Sequence, residues 1–187
     1  HIVVPFATGG PADISARVLA EVMSPGLGQS VVVENKPGAG SIVGVTAAAQ
    51  TKDGHTLLMG SNSMVINPSL QPAIAYDVAR DFDAVGMVSA QPLVLVVPSS
   101  SPIDSLPAFI AAAKAKPGQI STGNSGYGTL AHLASEIFKT MAGIELTHVP
   151  YKGTTVALPD IMSGRVHMMF DGGAFLPQVK AGKVKLL

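Results

Sequence analysis

The chain has 187 residues, of which 47% are apolar, 13% are charged and none is cysteine, and its 12 basic and 12 acidic side chains cancel. The apolar content is ample for a packed core and excludes a disordered chain. The balanced charge removes the basic footprint of a nucleic-acid-binding protein, the missing cysteines exclude disulfides and thiolate metal sites, and no apolar run is long enough to insert into a membrane.

The N-terminal half of the chain alternates predicted strands with predicted helices. β-Branched runs predict the strands, and small and apolar residues at helical spacing predict the helices between them. The first strand leads into a glycine-rich turn, Thr8–Asp13, that opens the first helix. The expected elements are strands over 2–6, 30–35 and 55–60 and helices over 14–23 and 41–50. The order is therefore strand, helix, strand, helix, strand.

A polar, proline-containing segment over 67–83 connects the two halves. Its two aromatic side chains, Tyr76 and Phe82, are the expected anchors. The elements that follow are a buried strand over 91–98 and a helix over 105–116. Ser105 is expected to cap that helix.

The second half repeats the order of the first. A strand that begins at Ile120 runs into the glycine-rich loop Gly123–Thr129, which opens a helix. The further expected elements are helices over 130–138 and 154–163 and strands over 143–149 and 166–170. Such repeats are typical of an α/β fold with a parallel sheet and helices on both faces. We place the boundary between the halves near Pro92, which gives a first lobe over 1–91 and a second over 92–187.

Four loops follow the carboxyl ends of predicted strands, where ligands bind in open α/β sheets. Two of them, Thr8–Asp13 and Gly123–Thr129, open helices, whose N-termini carry unpaired N–H groups and partial positive charge. The other two are Ser61–Ser63 and Asp171–Gly173. Because arginine is scarce in the chain, an anion here must be held mainly by backbone N–H and hydroxyl groups. The pattern predicts a clamp for a small acidic molecule.

Three other patterns point to chemistry, and for each a structural interpretation is favoured. Ser125 lies in the frame Gly123-Asn-Ser-Gly-Tyr127, which lacks the closing glycine of a nucleophile elbow. The glycines from Gly38 to Gly44 close one residue late for a dinucleotide fingerprint, so a packing role is favoured. The five histidines have no metal-ligand spacing. We therefore predict no catalytic residue, no cofactor and no metal.

Motifs along nearly the whole chain carry a resemblance to a known family. From the N-terminus they are Ile2–Asp13, Val32–Gly40, Lys116–Gly118, Gly123–Leu133, His148–Gly153, Met168–Asp171 and Val179–Lys183. In this order and spacing, the chain resembles the periplasmic solute-binding proteins of the tripartite tricarboxylate transporter system, the Bug or TctC-like family.

The resemblance implies a two-lobed periplasmic-binding-protein fold, type II-like, in which each lobe is a mainly parallel sheet flanked by helices. It implies a monomeric periplasmic receptor that is not an enzyme. The expected ligand is a small carboxylate (a di- or tricarboxylate, an amino acid or an aromatic acid), bound in a cleft between the lobes and delivered to a membrane permease. Because family members are longer, we expect the chain to be truncated after a crossover strand over 184–187, and its signal peptide to be absent.

The family grips a ligand carboxylate with the two glycine-rich loops, partly through ordered water. Carried over by motif, the expected ligand-binding residues are Phe6, Gly10, Ala12, Asp13, Ser61 and Asn62 in the first lobe and Ser125, Gly126, Thr129, Tyr151 and Asp171 in the second. An acidic group beside an anion is unfavourable, so Asp13 is expected to hold a bridging water or to cap the following helix.

Two positions depart from the family pattern. Ala131 stands where a hydroxyl is common, which puts one ligand contact in doubt. His167 stands where an acidic residue is common, and it is expected on a strand away from the pocket.

Two other functions use the same features. An enzyme acting on a phosphorylated or acyl substrate would need a base and a nucleophile within hydrogen-bond reach at the glycine-rich loops. A ligand-sensing subunit for a membrane kinase would share the fold of a transport receptor and would differ from it only in its partner.

Overall fold

The computed structural model describes residues 1–187, and its internal contacts divide the chain into two compact units. Unit 1 is His1–Ala90 and unit 2 is Gln91–Leu187. Each unit has its own sheet and its own buried clusters. None of the helices is both long enough and apolar enough to cross a membrane.

Unit 1 is built on a three-stranded parallel sheet in the order β2-β1-β3. Its elements are β1 (Ile2–Val4), α1 (Pro11–Leu27), β2 (Val33–Asn35), a 3-10 turn (Ala39–Ser41), α2 (Ile42–Gln50), β3 (Leu57–Leu58), α3 (Ser63–Leu70) and α4 (Val78–Asp81). All three residues of the central strand β1 are buried. The predicted order strand, helix, strand, helix, strand is confirmed, with shorter strands and a longer first helix than the sequence indicated.

Two clusters of buried side chains hold unit 1 together. Ala16 and Ala20 of α1 pack against Ile2 and Val4 of β1 in the first cluster. In the second, α2 packs against Tyr76, which confirms this side chain as an anchor. Small residues on the inner face of α1 let the helix approach the sheet closely.

Gly44 of α2 permits a close backbone crossing. A Cβ atom at this position would lie 2.7 Å from Pro5 Cα and 2.8 Å from the Lys36 carbonyl oxygen. Both are backbone atoms, which cannot rotate out of the way as a side chain can. The packing role predicted for this glycine, in place of a dinucleotide fingerprint, is confirmed.

The connecting segment over 67–83 contains more helix than its composition indicates. α3 includes Pro68 and α4 begins after Asp77, whose carboxylate accepts from two backbone N–H groups of the first turn. Asn67 is fully buried, and its Nδ2 donates to the Gly40 carbonyl at 2.9 Å. Tertiary contact of this kind overrides weak local propensity.

Unit 2 is built on a five-stranded sheet in the order β6-β5-β7-β4-β8. Its elements are β4 (Val94–Pro98), α5 (Leu106–Ala115), β5 (Ile120–Asn124), α6 (Leu130–Ala142), β6 (Leu146–Pro150), α7 (Thr154–Met162), β7 (Met168–Asp171), α8 (Leu176–Lys180) and β8 (Val184–Leu186). β6, β5 and β7 are mutually parallel, whereas β4 pairs antiparallel with both β7 and β8. Four of the five strands therefore run in one direction, since only β4 is reversed.

Helices cover both faces of this sheet. Leu95 and Val97 of β4 point into the cluster under α5, which contains Phe109, while Val96 joins the opposite cluster under α7. A strand buried on both faces is a continuous apolar run, as the sequence of β4 is. Ser105 precedes α5 as predicted, but its side chain makes no capping hydrogen bond.

The two units repeat one arrangement of strands. In unit 1 the first strand lies between the second and the third, and β5 lies in the same way between β6 and β7 in unit 2. In each case a helix follows the central strand. The predicted fold class, a mainly parallel sheet flanked by helices in each half, is confirmed.

Candidate functional site

The predicted site residues lie at the carboxyl ends of the parallel strands in the two sheets. In unit 1 the segments 6–13 and 61–62 follow β1 and β3, which are parallel neighbours. In unit 2 the loop 125–129, Tyr151 and Asp171 lie at the ends of the parallel neighbours β5, β6 and β7. The structure thus groups the predicted residues into two sets, one in each unit.

Asn35, at the end of β2, organises the loop between β1 and α1. Its Nδ2 donates to the Phe6 carbonyl at 3.0 Å and to Asp13 Oδ1 at 2.9 Å. Its Oδ1 accepts from Arg17 Nη2 at 3.2 Å and from Thr8 Oγ1 at 3.3 Å. One amide therefore joins the loop, the helix and the neighbouring strand, a role that the sequence analysis missed.

Asp13 is a buried carboxylate with several partners. Only 2% of the residue is exposed, and its Oδ2 accepts from the Gly9 N–H at 2.9 Å and from Arg17 Nε at 3.0 Å. Burial raises the pKa of Asp13, but the hydrogen bonds from Arg17, Gly9 and Asn35 outweigh this and hold the pKa below its ordinary value. Asp13 is therefore ionised, and its charge is balanced by Arg17.

The interpretation of Asp13 as the cap of α1 needs correction. The N-cap residue is Gly10, which has no side chain to accept a bond, and Pro11 begins the helix. Asp13 lies in the first turn and reaches back to the Gly9 N–H, in the manner of the acidic residue in a capping box. Its role as holder of a bridging water stays a prediction.

The other predicted residues of unit 1 provide backbone and shape. Phe6 and Ala12 are half-buried against the cluster under α1, and Gly10 is buried at the start of that helix. Asn62 is exposed directly before α3, and the Ser61 hydroxyl is hydrogen-bonded to that of Ser63.

In unit 2 the loop between β5 and α6 is held from within. Asn124, fully buried at the end of β5, accepts from the Gly126 N–H through its Oδ1 at 3.0 Å. The Thr129 hydroxyl donates to the Gly126 carbonyl at 2.7 Å and caps α6 by accepting from the His132 N–H. Gly126 has φ 121° and Gly128 has φ 78°, and glycine adopts such angles without strain. The loop is therefore a defined shape rather than a loose connection.

Two further predicted site residues, Tyr151 and Asp171, use their side chains for hydrogen bonds within unit 2. The Tyr151 hydroxyl donates to Asp160 Oδ2 at 2.7 Å, and Asp160 also pairs with Arg165 at 3.2 Å. The Asp171 carboxylate accepts from the N–H groups of Gly173 and Phe175. Burial, followed by the bond to Asp160, raises the pKa of Tyr151 to about 12.

We expect Tyr151→Phe to lower the free energy of unfolding of unit 2 by about 1 kcal/mol, since one hydrogen bond to a carboxylate is lost while Asp160 keeps Arg165. Chemical denaturation of the two proteins measures this difference. Exposed Tyr127→Phe is the matched control, and an equal loss in both variants would contradict the assignment.

His132, Glu136 and His148 form a cluster beside the loop, which sequence spacing did not reveal because His148 comes from β6. One ligand atom from each lies within 4.8 Å of the others. This donor set resembles that of a divalent-cation site. However, Lys139 Nζ lies 3.1 and 3.2 Å from the two Glu136 carboxylate oxygens, so an ammonium already neutralises the acid.

The hydrogen bonds of the two imidazoles also oppose a cation. Nδ1 of His132 faces the Gly128 N–H at 3.4 Å, and Nδ1 of His148 faces Asn124 Nδ2 at 3.3 Å. A nitrogen that faces a donor must be the acceptor, so the ring proton lies on Nε2 and neither ring offers a free lone pair. We interpret the cluster as a hydrogen-bond network and assign no metal to it.

His167 lies away from the loop, as expected. It is exposed just before β7, and its Nδ1 bonds with the Ser121 hydroxyl at 2.8 Å, near the start of β5. The loop 125–129 lies at the other end of β5. Ala131 is buried in the first turn of α6.

Comparison with known proteins gives a consistent picture. Residues 15–187 match the family described as the tripartite tricarboxylate transporter family receptor. The chain is 40% identical over 191 aligned residues to Protein BugT of Bordetella pertussis, an alignment that covers 100% of this chain and 59% of that protein. The chain spans between 51% and 59% of the length of BugT and of two other curated relatives that it matches.

Two solved structures share the fold closely. An R. palustris protein with adipate superposes with a TM-score of 0.95 at 36% identity, covering 100% of this chain and 63% of that one. MatC from Rhodopseudomonas palustris with bound malate superposes with a TM-score of 0.90 at 30% identity, covering 99% of this chain and 64% of that one.

Proposed function

We propose, since the chain belongs to the tripartite tricarboxylate transporter receptor family, that it is part of an extracytoplasmic receptor for a small carboxylate. Two similar proteins have been solved with adipate and with malate, both dicarboxylates, which supports this ligand class. The protein that contains the chain would act in the periplasm as a monomer and deliver its ligand to the permease of the same transport system. The chain supplies binding groups and no catalyst.

The observation that carries the proposal is the loop 125–129 at the start of α6. The first N–H groups of a helix have no acceptor within the helix, which leaves those of Leu130 and Ala131 pointing out of the first turn. The half-buried Ser125 hydroxyl lies on the same loop. Together with the partial positive charge of a helix N-terminus, these donors suit a carboxylate.

Unit 1 supports the same ligand class because its acid is already neutralised. Arg17 and two further donors satisfy Asp13, so this carboxylate adds little repulsion toward an anion. The N-terminus of α1, with Gly10 as its cap, then provides donors of the same kind. We retain as proposed ligand-binding residues Phe6, Gly10, Ala12, Asp13, Ser61, Asn62, Ser125, Gly126, Thr129, Tyr151 and Asp171.

The histidines do not support the enzymatic alternative. His132 Nδ1 accepts from the loop backbone and His148 Nδ1 accepts from Asn124, so neither of these nitrogens serves as a base for Ser125. The one Ser–His pair, Ser121 with His167, is exposed at the far edge of the sheet. A receptor is therefore favoured over a hydrolase.

A thermal-shift screen of mono-, di- and tricarboxylates, followed by calorimetric titration, tests the function. A ligand at about 100 times its Kd stabilises the folded state by about 2.7 kcal/mol, which raises the Tm by several degrees. We expect adipate or malate to do so and uncharged amides of the same acids to fail. No shift with any carboxylate would contradict the proposal.

Two glycine substitutions on one sheet test the site. Gly126→Ala forces a side chain to adopt φ 121° and displaces the loop, so we expect at least a tenfold loss of affinity. Gly118→Ala also places a side chain at a positive φ, 71°, but at the opposite end of β5, and we expect affinity to be retained. Equal effects would place the site elsewhere.

A further inference from the structure

We propose that the His132 and His148 imidazoles hold the loop 125–129 in its binding shape, and that carboxylate affinity falls in acid as Nδ1 of His132 gains a proton. The inference rests on the proposed function, and it assigns to the same site two positioning residues and a dependence on pH.

The first contact joins His132 to the loop backbone. The Gly128 N–H donates to His132 Nδ1 at 3.4 Å, and the His132 N–H in turn donates to the Thr129 hydroxyl at 3.4 Å. Gly128 is buried, so its N–H has no water to replace this acceptor. A protonated imidazole carries a hydrogen on both nitrogens. The Nδ1–H group of His132 would then face the Gly128 N–H, and neither group could accept a hydrogen bond.

The second contact acts through Asn124. Because Asn124 Oδ1 accepts from the Gly126 N–H, its other arm is the NH2 group, which faces His148 Nδ1 at 3.3 Å. His148 Nδ1 therefore accepts from this NH2 group, and His148 Nε2 contacts the Glu136 carboxylate. The amide of Asn124 thus links His148 to the N–H that fixes Gly126.

Two carboxylates and one ammonium surround the pair. Glu136 and Lys139 face it from α6, Glu145 lies 3.9 Å from Lys139, and the Tyr127 ring contacts His132 from the loop. The two imidazole rings contact each other with centroids 4.8 Å apart. Burial first, and then the charge on His148, lower the pKa of His132.

The sign of the pH effect follows from where the nitrogens point. An added positive charge would attract an anion, which favours tighter binding in acid. However, Nδ1 of both rings faces the groups that shape the loop. Two hydrogen-bond donors that face each other without an acceptor, in a buried place, cost more free energy than the distant attraction between an imidazolium and the anion contributes. A lowered pKa of His132 puts the loss below the ordinary histidine value of about 6.5.

Calorimetric titration with adipate between about pH 8 and about pH 5 tests the inference. We expect the chain to lose about tenfold in affinity, equivalent to the energy of one such hydrogen bond. In the double variant His132→Asn and His148→Asn, each amide oxygen replaces Nδ1 without titrating, so the loss should be less than about threefold. The control His167→Asn removes an exposed imidazole at the far edge and should keep the full loss.

An amide NMR titration without ligand separates this inference from the proposed function. The Gly128 signal should shift with the midpoint of the His132 ring signals in the chain and should stay constant in the double variant. A Gly128 signal that does not follow the His132 ring would overturn the inference even if adipate binds. So would an affinity that rises in acid, or a loss of equal size in the double variant. If the loop signals follow the rings but adipate binds at no pH, the proposed function fails and the positioning role stands.

Discussion

Gly44→Ala is expected to destabilise unit 1 by about 3 kcal/mol, at the upper end of what overpacking a core costs. The new Cβ would lie 2.7 Å from Pro5 Cα and 2.8 Å from the Lys36 carbonyl oxygen, and relief requires a shift of β1 or of α2. Thermal denaturation followed by circular dichroism measures the effect. The change should lower the Tm of unit 1.

The matched control is Gly26→Ala in α1, the same substitution in the same unit. A Cβ at Gly26 meets nothing within 4 Å, and the residue lies inside a helix. Alanine favours a helix interior over glycine by about 0.5 to 1 kcal/mol, so this variant should be slightly more stable than the parent. If both variants lose stability equally, the close crossing at Gly44 is not the cause.

Asp13→Ala is expected to lower the free energy of unfolding by about 2 kcal/mol, because it removes a buried carboxylate that accepts three hydrogen bonds. Gly9, Arg17 and Asn35 all donate to this carboxylate. Urea denaturation measures the loss. Asp53→Ala is the control: Asp53 also accepts two hydrogen bonds, but in an exposed turn, and its loss should be much smaller.

The same carboxylate gives unit 1 a dependence on acid. The pKa of Asp13 is lowered in the folded state, so its stabilisation is complete above the unfolded value of about 3.9 and is lost as the pH falls through the folded pKa. Between about pH 6 and about pH 3 the parent should lose more stability than Asp13→Asn, whose side chain does not titrate. Parallel curves for the two proteins would contradict this account of Asp13.

The sequence predicted most of the regular elements because their patterns are local. Apolar runs such as β4 and the small residues of α1 predict a strand and a packed helix from a few consecutive positions. The glycine-rich loops were recognised for the same reason. Gly44 was correctly assigned to packing, since the glycine spacing did not fit a nucleotide site.

The sequence did not predict features that depend on partners far along the chain. α3 owes its stability to contacts such as that of Asn67 with Gly40, which local propensity does not reveal. Asn35 and Asn124 lie within recognised motifs, but the sequence did not predict that the side chain of each would organise a loop. The approach of His148 to His132 depends on the pairing of β6 with β5. All of these features depend on contacts between residues that are far apart in sequence.

The reversed strand β4 has a consequence for how the chain folds. Its two neighbours, β7 and β8, come later in sequence than the other strands of this sheet, and Val96 pairs with Met169 on one side and with Leu186 on the other. The paired strands of unit 1 lie within residues 2–58, whereas five further elements, α5 to α7, separate β4 from β7. Pairing between such distant segments is slow and leaves apolar edges exposed until it is made. The sheet of unit 2 is therefore expected to form more slowly than the sheet of unit 1.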